Sequence, residues 1–283
     1  MLVSHSKNKI MKIYVFGYRG MLGRYVYIYL KSNGHNVIGV SRDVIDAEAF
    51  NEIQLKSALF QKGFKRGDII INCMGVIKSQ IDKAGTLSAI KVNSLFPHYL
   101  SNICKKDGYK MIHVSTDCAY SGKDGLYNEN SLHDCTDIYG KTKSLGEPSN
   151  CTVVRTSIIG EEIGQARSLI EWVKSMSGNT VNGFINHHWN GLTCLQLAKI
   201  FEFIILNNHY WDGVRHIFSP EIVTKNELVK MISDVHGLNV QVTPIEADIS
   251  CDRSLSTIYN DIDFNIPPIK EQIEEQHNYF NKI

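Results

Sequence analysis

From Met11 onward, short apolar runs alternate with segments whose apolar residues recur at helical spacing. Lys12 to Phe16 is an apolar run ending in a glycine-rich turn, and Met21 to Ser32 follows with a helical period. Asn36 to Val40 predicts a second strand, Asn51 to Gln61 a helix, and Asp68 to Asn72 (D-I-I-I-N) a buried strand. Leu87 to Lys106 predicts one long helix, Tyr109 to Val114 a strand, Tyr139 to Gly146 a short helix and Thr152 to Thr156 a strand. Continuous apolar strands alternating with helices predict an α/β fold, a doubly wound parallel sheet covered on both faces. After about Gly160 the alternation loosens. Helices are expected over Leu169 to Ser177, Leu192 to Leu206 and Lys225 to His236, with irregular connections between them and the Leu197 to Leu206 stripe in the core.

Composition narrows the function classes. The 283 residues are 43% hydrophobic and 21% charged, a globular balance that excludes a disordered chain. Thirty basic against 29 acidic residues leave a net charge of +1, which speaks against a nucleic-acid partner. The longest apolar region is interrupted by Lys199 and Glu202, so no membrane span is expected. Seven scattered cysteines without a C-x-x-C pair predict neither a disulfide framework nor a zinc site. No metal site is expected elsewhere, and His187-His188-Trp189 reads as a loop lining the substrate site. Met1 to Lys9 is polar and lacks the apolar stretch of a secretory signal, so a reducing, cytoplasmic setting is expected.

The chemistry starts at the first turn. Gly17-Tyr18-Arg19-Gly20-Met21-Leu22-Gly23 spaces three glycines three apart between a strand and a helix. The first permits the tight turn, the second lets backbone approach a pyrophosphate, and the third allows close helix packing. The helix N-terminus then offers free N–H groups to an anion. In this context the turn predicts a Rossmann-type dinucleotide domain over residues 11–160, followed by a smaller substrate lobe over 161–283 from which strands could return to the sheet. The second strand ends Val40-Ser41-Arg42, and Arg42 with Arg19 suits a 2′-phosphate, favouring NADP(H). Asp43 or Asp46 would instead suit NAD(H).

His113-Val114-Ser115-Thr116-Asp117 ends a strand, and Tyr139-Gly140-Lys141-Thr142-Lys143 opens a helix one β/α unit later. Tyr and Lys four apart share one helix face, where an ammonium would lower a phenol pKa otherwise near 10 and allow proton transfer to a carbonyl oxygen. With G-Y-R-G-M-L-G (17–23), I-N-C-M-G (71–75), V-N-S-L-F-P (92–97), V-S-T-D-C-A-Y-S-G (114–122), Y-G-K-T-K-S-L-G-E (139–147) and V-R-T-S-I-I-G (154–160), the chain resembles the extended short-chain dehydrogenase/reductases. Within them it is most similar to the dTDP-4-dehydrorhamnose reductases and related nucleotide-sugar 4-reductases. Asn190-Gly191-Leu192-Thr193 and Asp252-Arg253-Ser254-Leu255 extend the likeness more loosely into the second half.

The resemblance implies reduction of the C4 ketone of a 4-keto-6-deoxy sugar nucleotide by NADPH. Tyr139 would donate the proton, Lys143 would lower its pKa and hold the nicotinamide ribose, and Thr116 would hydrogen-bond the reacting oxygen. Asn72, Cys73, Met74, Gly75 and Thr156 would line the cofactor, with Asn93 behind the Lys143 helix. Thr116-Asp117-Cys118-Ala119-Tyr120 matches the register of the Ser-x-Cys-x-Tyr segment of GDP-fucose synthases, which implies that Cys118 acts as a base for 3-epimerisation. Lys78, Arg155, Gln165, Arg167, Trp189 and Arg253 are candidates for the sugar nucleotide, with guanidinium groups suited to a diphosphate. Departures at Cys118-Ala119 and Ile158-Ile159 favour a UDP-linked 2-acetamido sugar over the dTDP-rhamnose type. The oligomeric state is left open by the sequence, a homodimer being one alternative, since the Leu87 to Lys106 helix and the one after Tyr139 form the dimer face in many relatives. The alternative reading is a non-catalytic NADP-binding regulatory subunit like that of methionine adenosyltransferase. A 4,6-dehydratase is disfavoured, because Asp117-Cys118 lacks the Asp-Glu pair that those enzymes use.

Overall fold

The computed structural model describes residues 11–164 and 167–281. One sheet of six parallel strands organises it: β1 (Ile13–Phe16), β2 (Val37–Val40), β3 (Ile69–Asn72), β4 (Lys110–Thr116), β5 (Thr152–Thr156) and the Gly213–His216 strand. Their spatial order is Gly213–His216, β5, β4, β3, β1, β2. Every residue of β1 and β3 is buried, as continuous apolar runs require when helices cover both faces. On one face α1 (Met21–Ser32) and the Cys194–Leu206 helix pack together. On the other lie α2 (Glu52–Gln61) and the Phe96–Asp107 helix. The sheet is therefore doubly wound and Rossmann-like. Strand order reverses between β1 and β3, the switch point where such sheets open a crevice at their carboxyl ends.

The expected helix from Leu87 to Lys106 is three pieces: Thr86–Ala89, a π-helical stretch Ile90–Leu95, and Phe96–Asp107. Pro97 supplies the reason, since it has no N–H for the carbonyl of Asn93 four residues earlier. That freed carbonyl lies against Gly146, where an added Cβ would sit 1.7 Å from the Asn93 oxygen. The Ile138–Leu145 helix thus reaches the π stretch at a distance only glycine allows.

Residues after Gly160 are more ordered than the sequence pattern suggests. The helix expected from Leu192 starts at Cys194, because Leu192–Thr193 pairs as a strand with Ile158–Ile159 and the Thr193 side chain caps the helix by accepting from Gln196 N. His187–Trp189, expected to be irregular, is a strand between Val223–Thr224 and Cys251–Asp252. Of the stripe ending at Leu206, Leu197, Ala198, Ile200, Phe201, Ile204 and Ile205 are core, whereas Phe203 is half-buried and Leu206 is exposed. The third apolar cluster gathers the Leu169–Ser175, Lys225–Val235 and Ile269–Phe280 helices around Ile159, Ile170 and Ile273. Among the described residues no helix is long and apolar enough to cross a membrane.

Gly146→Ala is expected to lower stability by about 1–3 kcal/mol, since backbone rather than a flexible side chain occupies the space. Thermal unfolding followed by circular dichroism would show this as a melting point lower by several degrees.

Candidate active site

The carboxyl ends of β1 to β5 carry two cavities, of about 960 Å³ and 490 Å³, that share Gly20, Cys73, Met74, Gly75 and Arg167 in their walls. The larger runs past the glycine turn to the end of β2, and the smaller holds Thr116, Cys118, Tyr139 and Lys143. Gly17 takes φ +75°, and a Cβ on Gly23 would lie 2.2 Å from the Gly17 carbonyl oxygen. No side chain caps the start of α1, and its first turn has no acidic residue, so its N–H groups and positive end are available to an anion. These features fit a dinucleotide pyrophosphate. Tyr18 turns away from the cleft, its ring against Gly39 and Tyr27.

At the far end of the large cavity, Arg19 pairs with Asp43 at 3.3 Å, and Arg42 with Asp46 and Glu48 at 3.4 and 3.1 Å. The two guanidiniums expected to be free for a 2′-phosphate are therefore already neutralised by carboxylates. Both guanidiniums and Asp43 are exposed, and Asp46 and Glu48 are half-buried, so these pairs are weak and exchangeable. Asn72 spans from β3 to His113 Nδ1 at 3.1 Å and accepts Met74 N at 3.2 Å, shaping the cavity wall. Asn93, in the π stretch, accepts from Val76 N at 2.8 Å and donates to Val76 O and Thr142 Oγ1 at 3.0 and 3.2 Å. It ties that wall to the helix bearing Lys143.

That helix is started by Asp137, whose side chain accepts Gly140 N at 2.9 Å, and a Cβ on Gly140 would be 2.2 Å from Cys118 O. Tyr139 is thereby held against the 116–118 turn. Burial, and after it Cys118, raises the Tyr139 phenol above its ordinary pKa, so it is held as a proton donor. Lys143 Nζ donates to Val114 O at 2.7 Å, and burial lowers its ammonium to about 8 against the opposing pull of Glu147 and Cys73. This corrects the expected pairing, in which Lys143 lowers the Tyr139 pKa: burial governs both groups in opposite senses. Thr116 Oγ1 donates to Asp117 Oδ1 at 3.1 Å and accepts Cys118 N at 3.2 Å. The Cys118 thiol is pushed up to about 12 by burial and by Asp117, with Arg253 opposing. That is the reverse of the modest lowering expected of a base.

Several candidates stand elsewhere. Arg155 is 2% exposed and engaged by Glu147, with its Nε 2.9 Å from Oε1. Strand alternation turns Thr156 towards the small cavity and Arg155 away from it, so Arg155 is not available to a diphosphate. Trp189 packs into the third apolar cluster, against Gly191. Lys78 pairs with Asp137 at 3.2 Å at the surface. Arg253 Nε donates to Tyr120 O at 3.0 Å, and its charge still reaches Cys118 and Asp117. Arg167 lines both cavities, and Gln165 lies outside the described residues.

Three polar groups were missed in the sequence reading. Glu162 lines the small cavity and accepts Arg167 N and Ser168 N at 2.9 and 3.0 Å. Lys225, desolvated so that its pKa is lowered, feels Asp117 and Cys251. Glu147 accepts from Ser115 Oγ and Arg155 and supports the Lys143 ammonium. Only Glu147 had a legible signal, its place at the end of the Y-G-K-T-K-S-L-G-E segment that carries the family resemblance.

The family model described as RmlD substrate binding domain matches residues 11–250. The chain is 24% identical over 244 residues to the dTDP-4-keto-6-deoxy-D-glucose reductase of Streptomyces niveus, covering 83% of this chain and 82% of that protein. It is 28% identical over 252 residues to methionine adenosyltransferase 2 subunit beta of Danio rerio, covering 80% and 74% respectively. The dTDP-4-dehydrorhamnose reductase of Bacillus anthracis, solved in complex with NADP, superposes with a TM-score of 0.78 at 18% identity, over 95% of this chain and 99% of that one.

Because Glu147 favours the charged amine, Glu147→Gln is expected to move the Lys143 midpoint below about 8. Side-chain NMR of Lys143 across pH 6–11 would measure it; a midpoint unmoved by the substitution would show that Glu147 does not act on Lys143.

Proposed function

The chain belongs to the RmlD substrate binding domain family, and from that membership we propose that it reduces the C4 ketone of a 4-keto-6-deoxy sugar nucleotide. The observation that carries this reading is the continuity of the two cavities through Gly20, Cys73, Met74 and Gly75. A dinucleotide along the glycine turn would end beside Thr116, Tyr139 and Lys143. When bound, a nicotinamide cofactor supplies hydride. Tyr139, held protonated by burial, gives its proton to O4 as negative charge develops there. The Thr116 hydroxyl donates to the same oxygen once it turns from Asp117. Lys143, anchored on Val114 O, places an ammonium in the desolvated floor of the site, where its field favours the developing alkoxide. Arg19 and Arg42 support NADPH, while the carboxylates beside them leave NADH as a competitor. The name of the Streptomyces niveus relative supports a dTDP-linked sugar over the UDP-linked one suggested by the sequence departures.

Turnover of dTDP- and UDP-4-keto-6-deoxy sugars with NADPH or NADH, with product configuration read by NMR, tests the reading. Oxidation of cofactor dependent on one of these sugars is expected, and Tyr139→Phe should cut kcat about 10²–10⁴-fold with cofactor affinity retained. Cofactor binding without turnover across the whole panel would favour the alternative of a non-catalytic NADP-binding subunit, for which the likeness to methionine adenosyltransferase 2 subunit beta speaks.

The 3-epimerisation expected of Cys118 draws support from its register but not from its electrostatics, because a thiol raised to about 12 is a poor base at neutral pH. Reduction without epimerisation is the reading favoured. Deuterium wash-in at C3 should be no faster with the wild type than with Cys118→Ala; exchange abolished by that substitution would restore the base role.

A further inference from the structure

Away from the groove, the turn after the Ile158–Ile159 strand carries a second chemically loaded cluster. Glu161 is 1% exposed, and its Oε2 accepts the Tyr25 hydroxyl. Its Oε1 stands 3.7 Å from Nε2 of His236, a side chain only 4% exposed. That nitrogen has no hydrogen-bond partner. The ring of His277 meets the ring of His236 edge-on, with 4.3 Å between centroids. One ligand atom from each of Glu161, His236 and His277 lies within 4.8 Å of the other two. Asn281 holds the His277 ring through a 3.2 Å contact at Nε2.

The buried Glu161 carboxylate accepts one hydroxyl, and among the described residues no lysine or arginine is paired with it, which leaves its Oε1 open to a cation. Lys174, a nearby ammonium, is engaged by Glu171 at 3.1 Å. The Nε2 of His236 is buried, lacks a hydrogen-bond partner and faces Glu161, so this ring nitrogen is placed to serve as a ligand. At 3.7 Å its Nε2 is too far from the carboxylate for a hydrogen bond. The separation is close to that of two ligands on one ion, since donors about 2.0–2.2 Å from a tetrahedral zinc lie roughly 3.3–3.6 Å apart.

We propose that Glu161, His236 and His277 form a binding site for a first-row divalent transition metal of the zinc class. Two imidazoles and one carboxylate suit such an ion and are a poor set for magnesium or calcium, which take oxygen ligands. The ligands come from three separate pieces: the segment after Ile158–Ile159, the end of the Lys225–Val235 helix and the last turn of the Ile269–Phe280 helix. A bound metal ties both helices to the segment that continues to Glu162 at the groove. Its role is structural, because none of its ligands lines either cavity. No metal was expected from the sequence, where the three residues show no ligand spacing.

The untagged full chain, stripped with chelator, is titrated with Zn²⁺ and Co²⁺ beside the double variant His236→Gln/His277→Gln, which keeps all seven cysteines. Wild type is expected to bind roughly one equivalent, to show visible Co²⁺ ligand-field absorption, and to melt several degrees higher with Zn²⁺. The double variant should bind about tenfold or more weakly and lose the absorption. Equal binding and spectra in the two proteins would place the ion on other groups and overturn the proposal, as would no binding by wild type. If the double variant fails to fold, His277→Gln, altered at a half-buried ring, serves instead. Unchanged Co²⁺ affinity in that variant, with native circular dichroism, overturns the proposal equally.

Discussion

A guanidinium sealed from water must keep its carboxylate, and the Glu147–Arg155 pair is the contact on which the catalytic half of the molecule leans. Breaking such a pair leaves a lone buried charge, which typically costs about 3–5 kcal/mol. Arg155 also reaches the Tyr120 hydroxyl and, at 2.8 and 2.7 Å, ring nitrogens of His216 and His133. One side chain therefore joins β5 to the sixth strand, to the loop after Thr116, and to the helix carrying Tyr139 and Lys143. Glu147 then acts twice, anchoring Arg155 and favouring the charged form of Lys143.

Around that pair the site is assembled by close backbone approaches. Gly17 and Gly23 bring α1 onto the turn after β1, Gly140 brings the Tyr139 helix to the 116–118 turn, and Gly146 brings its end to the π stretch. Pro97 and Gly146 are complementary: one frees the Asn93 carbonyl and the other makes room for it. The Asn93 side chain, fixed in the same stretch, then joins the cavity wall at Val76 to Thr142. The result is a reaction groove whose floor is desolvated while its outer end, with Arg19 and Arg42, is wet.

Desolvation separates the roles of groups that look alike in sequence. It raises Tyr139 and Cys118 towards their protonated forms and lowers Lys143. A protonated phenol serves a reduction that must deliver a proton, whereas a protonated thiol does not serve proton removal. One physical cause thus supports one expected role and weakens another at a position two residues from Thr116.

The sequence by itself determined the alternating architecture and the glycine turn. It also set Tyr139 and Lys143 on one helix face, because that rests on spacing within one element, whereas Thr116 was joined to them by the family resemblance and shares their cavity. Cys73, Met74 and Gly75, expected to line the cofactor, stand in the walls of both cavities, whereas Asn72 is sealed behind them. What only the tertiary structure decided depends on partners remote in the chain. Arg155 was a plausible phosphate ligand until strand alternation turned it into the Glu147 pair, and Trp189 was a site candidate until its strand laid it, half-buried, against the third apolar cluster. The break in the helix after Leu87 followed from Pro97 meeting a glycine 49 positions later. Glu161, His236 and His277 share no motif and meet only because two helices and a strand end converge. Spacing is visible in a chain, whereas burial and long-range charge pairing are set by packing.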